Sequence, residues 1–330
     1  MKSFINQSDT EFFSSLGTDI ERTVSNFKIP KTNQLTIENV VDDDAEPIIL
    51  DKKSYTGKVY LQLQKELKNF NDYLFIEYKN NNTNLPATRL YPHNKKVLMF
   101  FSGENKLHPI NELAGEFHHI FANYYWDDQN VTSIPLGYYS YSVGNYVPIE
   151  ERLHEISFTG CLSKNRVPMA AALLGINKVL LFISFFFNSI KTFSTINTIV
   201  KWKRNRDIIF FTDNFAKGLS PEKYCEVLRH TKIIFSPKGW INTETFRMYE
   251  AMQHGCIVFT EKLPNRSYYK DIPVIQVNNW KEGLAFADKI LQNEDLLKEL
   301  SQKHKEFYEN MLSPEATVKI IIEKLSKLDN

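Results

Sequence analysis

The chain has little of what marks several common protein classes. Its three cysteines, Cys161, Cys225 and Cys256, are odd in number and far apart. They form neither a zinc-ligand pattern nor a disulfide framework, and they fit a reducing compartment. Net charge is almost absent, +1 over 330 residues, which removes the usual reason to expect a nucleic-acid partner. The first residues carry no apolar signal core. The most apolar run, Val179–Phe187, is far shorter than the ~20 residues that a spanning helix needs. No repeat at solenoid spacing occurs. These absences lead us to expect a cytoplasmic protein.

What is present is a globular composition, with 42% apolar and 24% charged residues and a rich 13% of aromatics. The length suffices for two domains of ordinary size. Residues 1–45 are polar, end in Asp42-Asp43-Asp44, and read as a loosely packed arm. From Ile48 onward short apolar runs alternate with segments of helical spacing. Tyr73–Tyr78, Val97–Ser102 and Ile120–Trp126 read as strands, so residues 46–150 form a first lobe. A second cycle starts at Ile156-Ser-Phe-Thr-Gly160 and spans 151–330. It has strands near 208–212, 232–236, 256–260 and 274–277, helices near 167–174, 221–229 and 282–292, and an amphipathic helix at about 314–328 that could pack back on the first lobe. Two successive blocks of this kind predict two doubly wound α/β sheets facing each other.

The segment from Lys232 to Thr260 is the most informative. It reads as strand, glycine loop, helix, glycine stop and strand. Lys238 and Gly239 follow an apolar strand, at the sheet edge where open α/β folds bind ligands, and Gly239 permits close backbone approach. Asn242 is an expected N-cap, starting the helix near Thr243, and Gly255 is an expected C-terminal stop. At about 100° per residue, Thr243, Arg247, Glu250 and His254 share one side, while Thr245, Met248, Tyr249 and Met252 share the other. The helix is thus expected to present a polar stripe. Its N-terminus and Arg247 suit a diphosphate, and Glu250 suits ribose hydroxyls. An ordinary surface helix with an Arg–Glu pair fits the same spacing.

The run Leu219-Ser-Pro-Glu-Lys-Tyr224, then Lys232-Ile-Ile-Phe-Ser-Pro-Lys-Gly239, then Thr243-Glu-Thr-Phe-Arg-Met-Tyr-Glu-Ala251 and His254-Gly-Cys-Ile-Val258, resembles the exostosin-type glycosyltransferase signature. It departs from it at Val258, where proline is usual, and Glu244 and Glu250 do not have the Glu-x7-Glu spacing of many retaining enzymes. The resemblance covers about 40 residues well and the second lobe loosely. It implies a two-lobed GT-B fold and a nucleotide-sugar donor held by Lys238, Gly239, Thr243, Thr245, Arg247 and Glu250. It also implies a glycan or lipid-linked glycan acceptor, no cofactor, and no metal ligands. A second glycine turn, Phe158-Thr-Gly160, leads into Asn165 and Arg166, which are expected to face the same diphosphate.

For the catalytic base the best candidate is Glu104, which follows the buried run Val97–Ser102. Its Gly103-Glu104-Asn105 context is similar to one in the α-1,3-fucosyltransferases. His118 and His119 are alternatives, with Asp127 and Asp128 behind them. The formal Asp-x-Asp at 42–44 reads as a solvated charge run, since no apolar strand precedes it. The stretch 178–206 joins an apolar run to Lys201, Lys203, Arg204 and Arg206. It reads either as a buried crossover helix with a solvated basic end or as a peripheral membrane contact. Inverting, metal-independent sugar transfer in surface polysaccharide synthesis is the expected function. A non-catalytic GT-B-like binding subunit, a sugar-nucleotide epimerase and a phosphorylase are its rivals.

Overall fold

A computed structural model of the chain describes residues 29–42, 46–78, 95–101, 114–138, 145–177, 206–212 and 218–329. They build two parallel sheets of five strands. In the first lobe, β1 (Val40–Asp42), β2 (Leu74–Glu77), β3 (Lys96–Phe100), β4 (His119–Ala122) and β5 (Val131–Ser133) lie side by side in chain order. Every neighbouring pair is parallel. Alternate residues point to opposite faces. Phe75, Val97, Met99 and Phe121 enter one apolar cluster, and Leu74, Ile76, Leu98 and Ile120 enter another. Burial on both faces explains why these strands read as continuous apolar runs rather than as alternating ones.

The lobe begins earlier than the sequence suggests. Val40 and Val41 are buried and β1 pairs with β2, so Asp42 ends an apolar edge strand instead of trailing a loose arm. Its carboxylate accepts from the backbone N–H of Glu46. Asp43 and Asp44 lie outside the described residues.

The second sheet contains β6 (His154–Cys161), β7 (Ile208–Thr212), β8 (Thr231–Ser236), β9 (Ile257–Thr260) and β10 (Ile275–Gln276), in the order β10-β9-β8-β6-β7. The chain steps from β6 outward to β7, then crosses back to put β8 on the other side of β6. All pairings are again parallel. Strand order therefore reverses between β6 and β8, and loops leave their carboxyl ends in opposite directions. A crevice at that point is where open α/β sheets place ligands.

Seven helices among the described residues accompany the sheets: α1 (Tyr55–Glu66), α2 (Val167–Leu174), α3 (Pro221–Arg229), α4 (Phe246–Gln253), α5 (Trp280–Leu291), α6 (Glu294–Phe307) and α7 (Pro314–Asp329). Helix α7 leaves the second lobe and packs along α1 of the first. Its start is held by Tyr55 Oη, 2.8 Å from the Leu312 carbonyl and 2.6 Å from Thr317 Oγ1. Its end is held by Asp329, which accepts from Tyr73 Oη at 2.6 Å and from Lys95 Nζ at 2.8 Å. One apolar cluster consequently runs through both lobes, from Val59 and Met99 to Met248, Ile321 and Leu325.

The link between the lobes is anchored by Arg152, only 2% exposed. Its guanidinium donates to the carbonyls of Val147 (3.0 Å), Thr231 (2.8 Å) and His254 (2.6 Å). These lie at the amino ends of β8 and β9, so the link is fixed under the second sheet, away from its carboxyl edge.

Val258, where the resemblance leads one to expect proline, has an N–H that needs an acceptor. Strand β10 reaches β9 only from Phe259 onward. The gap is filled by His304 of α6, whose Nε2 accepts that N–H at 3.1 Å while Nδ1 lies 2.8 Å from the Leu300 carbonyl. This requires a neutral imidazole with the proton on Nδ1. Burial lowers the His304 pKa to about 4. Burial, with Arg152 and Arg229 nearby, lowers His254 to about 3, and burial together with Lys324 lowers His119 to about 4.

In each case the unfolded chain takes up the proton first, near pH 6.5. The stability these histidines hold is complete above that pH and is lost as the pH falls toward 4. We predict a fall of about 2 kcal/mol per buried histidine between pH 7 and pH 5, read as a falling urea midpoint. A midpoint that stays level over this range would mean that the three imidazoles are not held neutral.

Candidate functional site

The crevice between β6 and β8 is lined by the loops after β6, β8 and β9. Strand β6 ends at Gly160-Cys161, followed by a short turn at Lys164–Arg166 and then α2. Strand β8 ends at Ser236 and is followed by the 237–245 loop and α4. Nearly every residue of that loop is tied down. Asn165 Nδ2 donates to the carbonyls of Gly239 and Trp240, each at 2.9 Å. Lys238 N–H donates to Glu261 Oε2 at 2.7 Å, and Trp280 Nε1 holds the other oxygen of that carboxylate at 2.8 Å. Gly239 N–H closes the turn on the Asn242 carbonyl at 2.8 Å. Thr243 Oγ1 donates to the Lys262 carbonyl at 3.0 Å, and Thr245 Oγ1 lies 2.8 Å from Ser236 Oγ.

These bonds change the expected helix. Asn242 is used within the loop, and the helix starts only at Phe246, with Thr245 extended at φ −132° as N-cap. Among the described residues no side chain caps this terminus. The other end is as expected. Gly255, at φ +68°, closes a Schellman motif in which Cys256 N–H bonds Ala251 O and Gly255 N–H bonds Met252 O, both at 2.9 Å.

The polar stripe expected on this helix is not formed. Thr243 precedes the helix, and Glu250 and His254 are only 4% and 6% exposed. Helices α3 and α6 and the 308–312 turn pack on α4 and cover its second half. Glu250 lies near Tyr224, whose phenol is raised first by burial and further by the Glu250 charge.

Arg247 remains half-buried at the crevice. Its Nη2 donates to the Thr159 carbonyl at 2.7 Å, and its guanidinium lies 4.6 Å from the Phe158 ring centre. Its Nε is buried and has no hydrogen-bond partner among the described residues. Arg166 approaches from the other side, donating to the carbonyls of Cys161 (2.6 Å) and Lys238 (3.4 Å). Gly160 sits between them. A Cβ there would lie 2.8 Å from Arg247 Nη2 and 3.7 Å from Arg166 Nη1, at a φ of +150°. Absence of a side chain at this position therefore lets two guanidiniums converge on the end of β6.

The structure thus brings together Gly160, Arg166, Lys238, Gly239 and Arg247. It assigns Asn165, Thr243 and Thr245 to holding the loop, and sets Glu250 one turn further along in a buried position. Glu104 lies outside the described residues. His118 and His119 sit at the amino end of β4, on a strand edge and not on a helix. His118 faces Asp329 at 3.5 Å, and His119 Nε2 bonds Thr132 Oγ1 at 2.8 Å. That edge is the far one from the second lobe. Asp127 and Asp128 accept backbone N–H groups of Ser133 (2.6 Å) and of Asn130 and Val131 (2.7 Å each), so they shape the β4–β5 loop. Among the described residues no helix is long and apolar enough to cross a membrane; most of 178–206 lies outside them.

The two carboxyl edges face one another. Tyr125 and Asp127, after β4, and Ser133, ending β5, meet Arg266, Ser267 and Tyr268, which follow β9. Sequence reasoning missed Arg266 and Glu261, because each acts on the loop from a distant part of the chain and neither belongs to a local motif.

No family model and no curated protein matches this sequence. Among solved structures, the fold is similar to that of a glycosyltransferase from Rickettsia africae, at 12% identity and a TM-score of 0.50 over 83% of this chain and 81% of that one. Anabaena HepE in complex with UDP and glucose aligns at 11% identity and a TM-score of 0.49, over 83% and 84% of the two chains. The fold is GT-B, as the sequence motif implies. The finer exostosin and fucosyltransferase resemblances rest on the motifs alone.

If Asn165 is the clasp between the two loops, Asn165→Ala removes both of its donors and lowers unfolding free energy by about 1–2 kcal/mol. Asn165→Asp, which cannot donate, behaves alike in urea denaturation. A wild-type midpoint in both variants would show that the clasp holds nothing.

Proposed function

We propose that the chain is a glycosyltransferase that moves a sugar from a nucleotide-sugar donor to a hydroxyl of a glycan or lipid-linked glycan. The observation that carries this reading is the convergence of Arg166 and Arg247 on Gly160 at the point where strand order reverses. The helix that bears Arg247 starts there without a side-chain cap. Such a site suits a diphosphate. Backbone can approach across the glycine, the helix dipole favours negative charge, and guanidiniums bond phosphate oxygens in pairs. The shared fold with a glycosyltransferase supports the same class.

In this reading the acceptor hydroxyl oxygen attacks the anomeric carbon from the first-lobe side, and the carbon–oxygen bond to the diphosphate breaks. Configuration at that carbon inverts. Arg166, Arg247 and Lys238 neutralise the leaving diphosphate as its charge grows, which is the task a divalent ion would otherwise perform. Glu104 receives the hydroxyl proton. It follows β3, whose carboxyl end lies on the edge that faces the second lobe.

Arg247→Ala is expected to weaken binding of the cognate nucleoside diphosphate about 10- to 100-fold, the worth of one hydrogen bond to a charged group. Calorimetric titration with UDP, GDP, ADP and CDP in turn measures this and identifies the base. Unchanged affinity would remove Arg247 from the site. Glu104→Gln is expected to abolish transfer while nucleotide affinity stays within about twofold of wild type, and chelator is expected to leave transfer intact. Turnover surviving in Glu104→Gln would sink the base assignment, and loss of activity in chelator would sink the metal-independent mechanism.

A further inference from the structure

The donor loop contains a buried carboxylate that the proposed transfer reaction does not use. Glu244 is 1% exposed and lies three residues before Arg247. It receives both arms of the Arg266 fork, Nε to Oε1 at 2.9 Å and Nη2 to Oε2 at 2.7 Å. Arg266, 6% exposed, turns its Nη1 across to the first lobe and donates to the Tyr125 carbonyl. Its guanidinium lies 5.3 Å from the centre of the Trp126 ring. Burial opposes the charge of Arg266, but the Glu244 carboxylate outweighs it and raises the guanidinium above its usual pKa. Tyr268 Oη reaches Glu244 Oε1 and Ser133 Oγ, each at 3.4 Å, and Ser267 Oγ donates to Asp127 Oδ2 at 3.2 Å.

A buried ion pair gives little net stability over apolar side chains of the same volume, but a bidentate Arg–carboxylate fork adds geometric specificity. Here the direction is specific. One end of the pair is part of the 237–245 loop, and the other end touches the first lobe. The loop is short and bonded at Lys238, Gly239, Trp240, Thr243 and Thr245, so a shift at Lys238 or Arg247 is passed to Glu244 rather than absorbed. We infer that Arg266 is a positioning residue that couples occupancy of the nucleotide site to the Tyr125–Trp126 segment of the first lobe. Linkage makes this reciprocal: an arrangement of the lobes that favours the Arg266–Tyr125 contact changes nucleotide affinity by the same factor. The inference rests on the nucleotide reading of the site and adds a route from donor binding to the opposite wall of the cleft.

The test uses the full chain labelled with 5-fluorotryptophan. Its four tryptophans give four fluorine resonances, and Trp126→Phe identifies one of them. UDP, GDP, ADP and CDP are titrated, with binding measured separately by calorimetry. The expected result is that the nucleotide that binds also shifts the Trp126 resonance. In Glu244→Gln and Arg266→Lys the nucleotide still binds, about fivefold or more weakly, and the Trp126 shift is lost. Calorimetric binding with no movement of Trp126 in the wild-type protein would overturn the coupling, and that arm needs no variant to fold. An undiminished Trp126 shift in Glu244→Gln would show that the signal bypasses the ion pair. If none of the four nucleotides binds, the nucleotide reading itself is overturned, and the coupling with it.

Discussion

Beside β6 the chain reverses its direction of travel through the second sheet, and the rest of the site depends on that reversal. Two loops leave adjacent carboxyl ends and diverge, so their backbones cannot satisfy each other through a regular ladder. Buried or half-buried carbonyls must then find side-chain donors. Asn165 and Arg166 supply them from one loop to the other, and Glu261 accepts from the next strand over. The loop that emerges is held residue by residue. Its backbone, together with Gly160, is held by the protein's own hydrogen bonds, the kind of fixed geometry that recognition of a charged group uses.

Much of this was legible in the sequence, and the rest was hidden for definite reasons. Apolar runs bounded by glycine and polar turns gave the strands, because parallel strands buried on both faces leave that signature. The glycine stop at Gly255 was legible because a left-handed residue after a helix is a local requirement. The helix start was not. Asn242 has the chemistry of an N-cap, but its carbonyl closes a turn and Glu244 is drawn toward Arg266, more than twenty residues away. The polar stripe failed for a similar reason. Spacing places Glu250 and His254 beside Arg247, whereas the packing of α3 and α6 decides which of the three meets solvent.

The first lobe gives the same lesson from the other end of the chain. Val40 and Val41 are too short a run to announce a strand, and become one because β2 offers an edge. His118 and His119 carry catalytic chemistry in isolation, yet they fall on the amino edge, where Asp329 and Thr132 occupy them. Helix α7 accounts for the contact at His118. It carries Asp329 from the second lobe to that edge while its apolar face completes the first-lobe core. Helix α7 thus stabilises the first lobe from its amino edge and leaves the opposite, carboxyl edge facing the second lobe.

Two arginines close to the same loop show how burial sorts structural charge from available charge. Taking a guanidinium out of water costs several kcal/mol unless a carboxylate and further acceptors replace the lost hydration. Arg266 has all of these: a bidentate carboxylate, a backbone carbonyl and an aromatic face. Its donors are committed, and a ligand would have to break a buried pair to use them. Arg247 has one carbonyl, one ring face and a buried Nε that no described residue accepts. Such a group has given up water without full compensation, and an anion that reaches it supplies what is missing. The difference between the two lies in their surroundings, since the residue type is the same. It is why Arg247 is assigned to the ligand and Arg266 to the geometry of the walls that enclose it.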